Sequence, residues 1–355
     1  MKVALVIYGS LETISGGYLF DRMLVARLRL RGDEVEIISM PRRSYAASLI
    51  DNLTFRTLPG FDLILQDELN HPSLFLANRR AHRAAIISIV HHLRSSERRA
   101  SWQNAIYRGV ERRYLESVDG FIFNSEVTRA SVERLIGPPG VHVVATPGGD
   151  RLGSSTHAQV MRRAQQPGPL RIICLGSLSP GKGVDVLLDA LSLVPREAVH
   201  LQIVGPESAA PGFARRMRGK AAALQLPVEF CGPLDDRPLE HSLRNAQVMV
   251  LPSYYEGFGI AYLEGMAHGL PALGTRAGAI PDLVSEGVNG YLVEPGDAAA
   301  LADRIMTLTT DRGLLARLGG AALAAFREFP TWDESTERMR DFLLGVASAR
   351  ESGRP

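Results

Sequence analysis

The sequence predicts an α/β protein of two Rossmann-like, doubly wound domains, and three observations lead there. The chain has 355 residues, long for one domain and ordinary for two. Short apolar runs alternate with helix-length amphipathic segments, the pattern of parallel strands covered by helices on both faces. That alternation stops once, at a polar, aperiodic stretch rich in Gly, Ser and Pro, and then starts again.

The first half opens β-α-β, with VALVIY as a strand, a helix through FDRMLVARLRLRG, and EVEIISM as the next strand. DLILQ, AIISIV, GFIF and VHVVAT follow as buried strands. The polar stretch RLGSSTHAQVMRRAQQPGP, residues 151–169, is expected to contain the interdomain linker. After it, LRIICLGS, HLQIVGP, VEFCGP and QVMVLPS read as strands, separated by helices through VDVLLDALSLV, FARRMRGKAAALQ and LEHSLRNA. The expected domains are residues 1–160 and 161–330. A last helix, ESTERMRDFLLGVASA, follows a break at Phe329-Pro330, and periodicity alone assigns it to neither domain. In such sheets ligands bind beyond the carboxyl ends of strands, so chemistry is expected in the loops after the apolar runs.

Apolar residues make up 45% and charged residues 22%, a globular balance that excludes global disorder. The formal net charge of +2 singles out no partner, and nucleic acid is not expected among them. Cys174 and Cys231 lie in apolar runs outside any CxxC or Cys/His cluster and read as buried, reduced thiols. MKVALVIYGS is too short for a signal peptide and reads as the first strand. No run approaches the roughly 20 apolar residues a membrane-spanning helix needs. A cytoplasmic protein, at most peripheral to a membrane, is expected.

Three loops of the second half have unusual composition. In LGSLSPGKGVDVLL, Gly176, Gly181 and Gly183 let backbone approach a ligand, the next helix offers unpaired N–H groups, and Lys182 adds a point charge. This suits an anionic, phosphate-bearing ligand; the plainer alternative is a glycine-rich turn with a solvated lysine. The loop nearly spells a P-loop, but Gly183 stands where a magnesium-binding Ser or Thr belongs. In YYEGFGIAYLEGMAHGLP, Glu256 precedes a helix expected near Gly259, and Glu264 falls in its second turn. Carboxylates flanking exposed amides suit a polyhydroxylated ligand with an anionic part. The alternative is that Glu256 caps the helix and Glu264 lies on a solvated face. GTRAGAIPDLV is a further strand-to-helix turn.

In the first half, Gly16 and Gly17 stand ahead of an amphipathic helix, again a point of phosphate or sugar approach. His91 and His92 end a strand, whose alternation would turn only one into a site; His91 is preferred. Between Arg79 and Arg113 there are nine arginines against two acids, Glu97 and Glu111. This tract reads either as a solvated helix face or as a surface for anionic lipid or a phosphorylated acceptor. No metal is expected: the chain lacks Asp-x-Asp and HExxH, and His71, His82, His91 and His92 have no ligand spacing with the cysteines.

Taken in order, these loops resemble the retaining nucleotide-sugar glycosyltransferases of GT-B fold, the group with an E-x(7)-E signature. GSLSPGKGVDVLLDAL, LQIVGP, YYEGFGIAYLEGMAHGLP, AGAIPDLV and GVNGYLVEPGD stand in that family's order and spacing. The resemblance implies two lobes facing across a cleft, with the tail from about residue 331 returning to the first. It implies that Lys182, with Gly176 and Ser177 in its loop, holds a donor diphosphate. Glu256 would meet the donor sugar, the amides of Phe258, Gly259 and Ile260 the sugar and phosphate, and Glu264 the ribose. Gly16 and Gly17 would approach the phosphate, and His91 would sit beside the transferring sugar. One departure is Ser177, which stands where the family usually has an arginine beside the lysine. PGGD, residues 147–150, only approximates the family's Pro-Asn-Gly turn.

The implied reaction is metal-independent transfer of a hexosyl group from a nucleoside-diphosphate sugar to an unidentified acceptor hydroxyl, with the α-linkage retained and no cofactor. Two alternatives are a sugar-nucleotide epimerase or hydrolase on the same fold and, given Ser177, a nucleotide-sugar-binding protein without catalysis.

Overall fold

The computed structural model describes residues 1–56, 58–80 and 83–352, so His82 lies outside the described residues. The chain forms two compact units: Met1–Pro147 with the segment beginning at Trp332, and Gly148–Thr331.

The first unit holds β1 (Lys2–Tyr8), β2 (Glu34–Met40), β3 (Leu63–Asp67), β4 (Ala85–Val90), β5 (Gly120–Phe123) and β6 (Val141–Val144). All pair in parallel, in the order β2-β1-β3-β4-β5-β6. Every residue of β3 and β4 is buried, which is why central strands with both faces covered read as nearly unbroken apolar runs. The helix Gly16–Leu30 begins earlier than its apolar segment suggests. Ser15 accepts a hydrogen bond from the Tyr18 amide and caps it, so Gly16 and Gly17 form its first turn instead of preceding it.

The terminal helix Trp332–Ser352 packs on this same unit. Trp332 meets Phe20 with ring centroids 6.2 Å apart, Arg27 donates to Thr336 Oγ1 at 3.2 Å, and Arg340 donates to Asp33 at 2.7 Å. The return of the tail to the first domain is therefore observed.

The second unit holds β7 (Leu170–Leu175), β8 (Val199–Val204), β9 (Val228–Gly232), β10 (Val248–Val250), β11 (Ala272–Thr275) and β12 (Gly290–Val293). These also pair in parallel, in the order β12-β11-β10-β7-β8-β9. Strand order reverses once in each sheet, between β1 and β3 and between β7 and β10. Loops leaving those strands are where a doubly wound sheet binds its ligands.

The linker is a correction. The units join at Pro147 and Gly148, and residues 151–169 belong to the second unit. They include the helix His157–Ala164, closed by a capping box of Thr156 and Gln159. The stretch looks solvated because of its arginines, yet Arg163 is buried. Its guanidinium donates to the carbonyls of His268 at 2.6 Å, Gly269 at 3.1 Å and Arg244 at 3.1 Å. Two helices that periodicity left unassigned, Ala298–Thr310 and Arg312–Phe326, complete the unit. Of the free thiols, Cys174 is buried as expected, whereas Cys231 is only half-buried. Among the described residues, no helix is long and apolar enough to cross a membrane.

Candidate functional site

In the second unit the loops after β7 and β10 are tied together at the switch point. Gly183 follows the turn Pro180–Lys182 with φ 66°. A Cβ there would lie 2.0 Å from the Pro252 carbonyl oxygen, so both conformation and space demand glycine. Tyr254 N donates to Gly181 O at 2.9 Å, closing one loop on the other. This brings Lys182 Nζ to 2.6 Å from Glu256 Oε1, which also accepts from Ser253 Oγ at 2.7 Å. Lys182 is ion-paired with its side chain still 30% exposed, and the helix Ile260–Ala267 takes Gly259, not Glu256, as its cap.

Glu264 lies in that helix and is 5% exposed, so it is not on a solvated face. Its Oε1 accepts from Arg151 Nη2 at 2.6 Å and Nε at 3.2 Å, and Arg151 also pairs with Asp236. Burial pushes the Glu264 carboxyl pKa above its ordinary value, against the downward pull of Arg151. Phe258 turns its ring into the core, 6.5 Å between centroids from Phe329, so only its backbone is available to a ligand. The amides of Ile260 and Ala261 open that helix ahead of its first hydrogen-bonded turn, which Tyr262 N closes by donating to Gly259 O at 2.9 Å. Ser177 Oγ lies 3.4 Å from Ser179 Oγ, and the Cβ position of Gly176 faces the Lys182 side chain at 3.8 Å. Sequence reading missed Arg151 and Ser253. Arg151 opens the polar stretch expected to contain the linker, and neither residue belongs to a recognisable motif.

In the first unit, the loop after β1, the end of β3 and the end of β4 meet at the other switch point. A Cβ on Gly17 would lie 3.0 Å from His91 Cδ2, so the helix start and the histidine are in direct contact. His91 Nε2 lies 3.2 Å from Asp21 Oδ1, and its carbonyl accepts from Asn124 Nδ2 at 2.9 Å. His92 Nε2 instead lies 3.3 Å from Glu97 Oε1, as strand alternation requires of neighbours. Carboxylates and imidazoles gather in two buried groups, Asp21 with Asp67 and His91, and Glu68 with His71 and Glu111. No spacing rule finds such groups, because each is assembled from separate elements. Burial, then the charge of Asp21, raises the Asp67 pKa to about 7. The His91 pKa is raised to about 9; burial opposes this, but Asp21 above all, then Asp67 and Glu68, overcome it.

The arginine tract does not form a single face. Arg94 lies over the rings of Tyr45 and Tyr107, and Arg99 pairs with Glu97 at 2.6 Å. The helix Ser101–Leu115 exposes Trp102 and Ile106 beside Arg108, Arg112 and Arg113.

Solved structures with the same fold include sucrose-phosphate synthase from Thermosynechococcus elongatus (TM-score 0.83, 21% identity, 98% of this chain and 99% of that one). Another is HepE of Anabaena in complex with UDP-glucose (TM-score 0.77, 20% identity, 97% and 100%). A third is WaaG, a glycosyltransferase involved in lipopolysaccharide biosynthesis (TM-score 0.72, 16% identity, 97% and 100%). The architecture is therefore GT-B, two Rossmann-like domains in one chain. By sequence, the chain is 30% identical over 284 residues to a phosphatidyl-myo-inositol mannosyltransferase of Mycobacterium leprae, covering 79% of this chain and 72% of that protein. It is 34% identical over 181 residues to a D-inositol 3-phosphate glycosyltransferase of Xylanimonas cellulosilytica, covering 50% of this chain and 43% of that one. The family described as glycosyl transferases group 1 matches residues 169–311. The chain belongs to this family and is a glycosyltransferase.

Proposed function

We propose that the chain is a retaining hexosyltransferase that moves a sugar from a nucleoside-diphosphate donor to an acceptor hydroxyl without a divalent metal or other cofactor. The observation that carries this reading is the Lys182–Glu256 pair at the β7/β10 switch point, with Glu264 buried on the helix that follows. In this reading Lys182, with the Gly176-Ser177 turn, binds the diphosphate. Glu256 and the amides of Phe258, Gly259 and Ile260 hold sugar and phosphate, and Glu264 takes the ribose hydroxyls. Gly16 and Gly17 serve the phosphate, and His91 serves the transferring sugar.

As the bond from the sugar's anomeric carbon to the phosphate oxygen breaks, negative charge grows on the diphosphate. A fixed ammonium and a helix N-terminus match that charge, which lowers the barrier. The acceptor oxygen bonds to the same face of the anomeric carbon, and its proton passes to the departing phosphate oxygen. The family match and the names of the relatives, a mannosyltransferase and a glycosyltransferase, support a nucleotide-sugar donor. Exposed Trp102 and Ile106 beside three arginines support peripheral contact of the helix Ser101–Leu115 with an anionic membrane on the cytoplasmic side.

The test is calorimetry against UDP-, GDP- and ADP-sugars, then nucleoside diphosphate release with and without EDTA. Binding of one donor class and EDTA-insensitive turnover are expected. No binding of any donor overturns the reading, and EDTA inhibition overturns metal independence. Lys182→Ala should reduce turnover by ~10²–10³ while the fold is kept, since it removes one preorganised positive group. Ser177, uncharged beside Lys182, favours a second reading of binding without catalysis; donor binding with no turnover would select it.

A further inference from the structure

Asp21 and Asp67 are both 0% exposed, and each leaves its Oδ2 without a hydrogen-bond partner among the described residues. Their carboxylates and a ring nitrogen of His91 all lie within 4.8 Å of one another. Two carboxylates withdrawn from water at that distance cannot both stay ionised without a cation. The groups facing the imidazole are few. Asp21 comes from the helix Gly16–Leu30, Asp67 and Glu68 from the end of β3 and its turn, and His92 from the next position in the chain. Phe20 covers another side edge-on, 5.5 Å between centroids, and Gly17 leaves room for the ring only because it has no side chain. Asp21 lies one helical turn after Gly17, so one face of one helix both makes that room and supplies the carboxylate.

We propose that Asp21 is a positioning residue: by accepting the Nε2–H of His91 it fixes the ring, keeps it doubly protonated, and leaves Nδ1–H to donate to a hydroxyl of the transferring sugar. This rests on the sugar-facing role given to His91 above. The geometry carries it, since Nε2 is already committed to Asp21 at 3.2 Å. The raised imidazole pKa, about 9, agrees with it. Asp67, held partly protonated near neutral pH, limits the charge that one imidazolium must balance.

The test reads the ring directly and then the reaction. In full-length protein with ¹⁵N-labelled histidine, assigned with His91→Gln, the His91 ring nitrogens should titrate with a midpoint above about 8. Asp21→Asn keeps the shape and an acceptor oxygen but removes the charge, and should lower that midpoint by about two units. The alkaline limb of nucleoside diphosphate release from the donor bound in calorimetry should move down with it, at little change in KM. A wild-type midpoint at or below 6.5, which is readable even if Asp21→Asn fails to fold, overturns the proposal. So does an unchanged midpoint in Asp21→Asn, or a shifted midpoint with an unmoved pH–rate profile. If instead the midpoint shifts but the wild type turns over no donor, the glycosyl-transfer role falls while the Asp21–His91 pair stands.

Discussion

At the scale of single residues, the second unit depends on one arginine that no motif announces. Arg151 is the cation on Glu264, and both are largely withdrawn from water, at 19% and 6% side-chain exposure. Removing one partner of such a pair leaves an uncompensated charge. Arg151→Ala should therefore destabilise the second unit by ~3 kcal/mol, whereas Arg151→Ala with Glu264→Gln should recover most of the loss. Urea unfolding of the single and double variants measures this; additive losses would show that the pair is not the cause. Nucleotide affinity should fall in both, because both disturb the carboxylate proposed to take the ribose. The places of Lys182 and Glu256 beside glycine turns at strand ends, and of Glu264 in the second turn of the helix that follows, were legible in the sequence. Arg151, Asp21 and Asp67 were not, because their partners come from elements 113, 70 and 24 positions away, and spacing along one segment carries no trace of them.

At the scale of elements, the end of the helix Ile260–Ala267 is held by groups of opposite logic. Arg163 reaches in from the helix His157–Ala164 to the carbonyls at 268 and 269, and His268 is fully buried with its Nδ1 3.2 Å from Ser155 Oγ. Burial, then the positive charges of Arg244 and Arg163, holds the His268 pKa down to about 4. The ring is thus neutral in the fold but takes a proton below about 6.5 in the unfolded chain. Its contribution is complete above that pH and is lost as pH falls toward about 4, by up to about 1.4 kcal/mol per unit. His268→Gln should flatten the pH dependence of unfolding over that window; an unchanged slope would assign the acid sensitivity to other groups. The same contacts explain why the helix His157–Ala164 was not legible. Its polarity signals a linker only if arginine is assumed to face water, and Arg163 does not.

At the scale of the whole molecule, the two parallel sheets were legible because central strands covered on both faces are apolar throughout. The boundary was not, because the units join at a Pro-Gly step, residues 147–148, with no tract of linker composition. The terminal helix buries Trp332, Met339 and Leu343, at 3%, 0% and 0% exposure, against the first unit. At ~1.5–3 kcal/mol for each large apolar side chain, its loss is comparable to the entire stability of a domain. Truncation after Thr331 should unfold the first unit while the second still binds nucleotide, read by circular dichroism and calorimetry on the same sample. Retention of two unfolding transitions would show that the helix is dispensable.

That arrangement also sets an order of events during synthesis. Residues 148–331 lie in the chain as one uninterrupted block, whereas the unit that begins at Met1 is completed only by the helix Trp332–Ser352 on the far side of that block. During synthesis, therefore, the continuous unit has all its residues available before the discontinuous one does, the reverse of the usual order in which the N-terminal domain folds first.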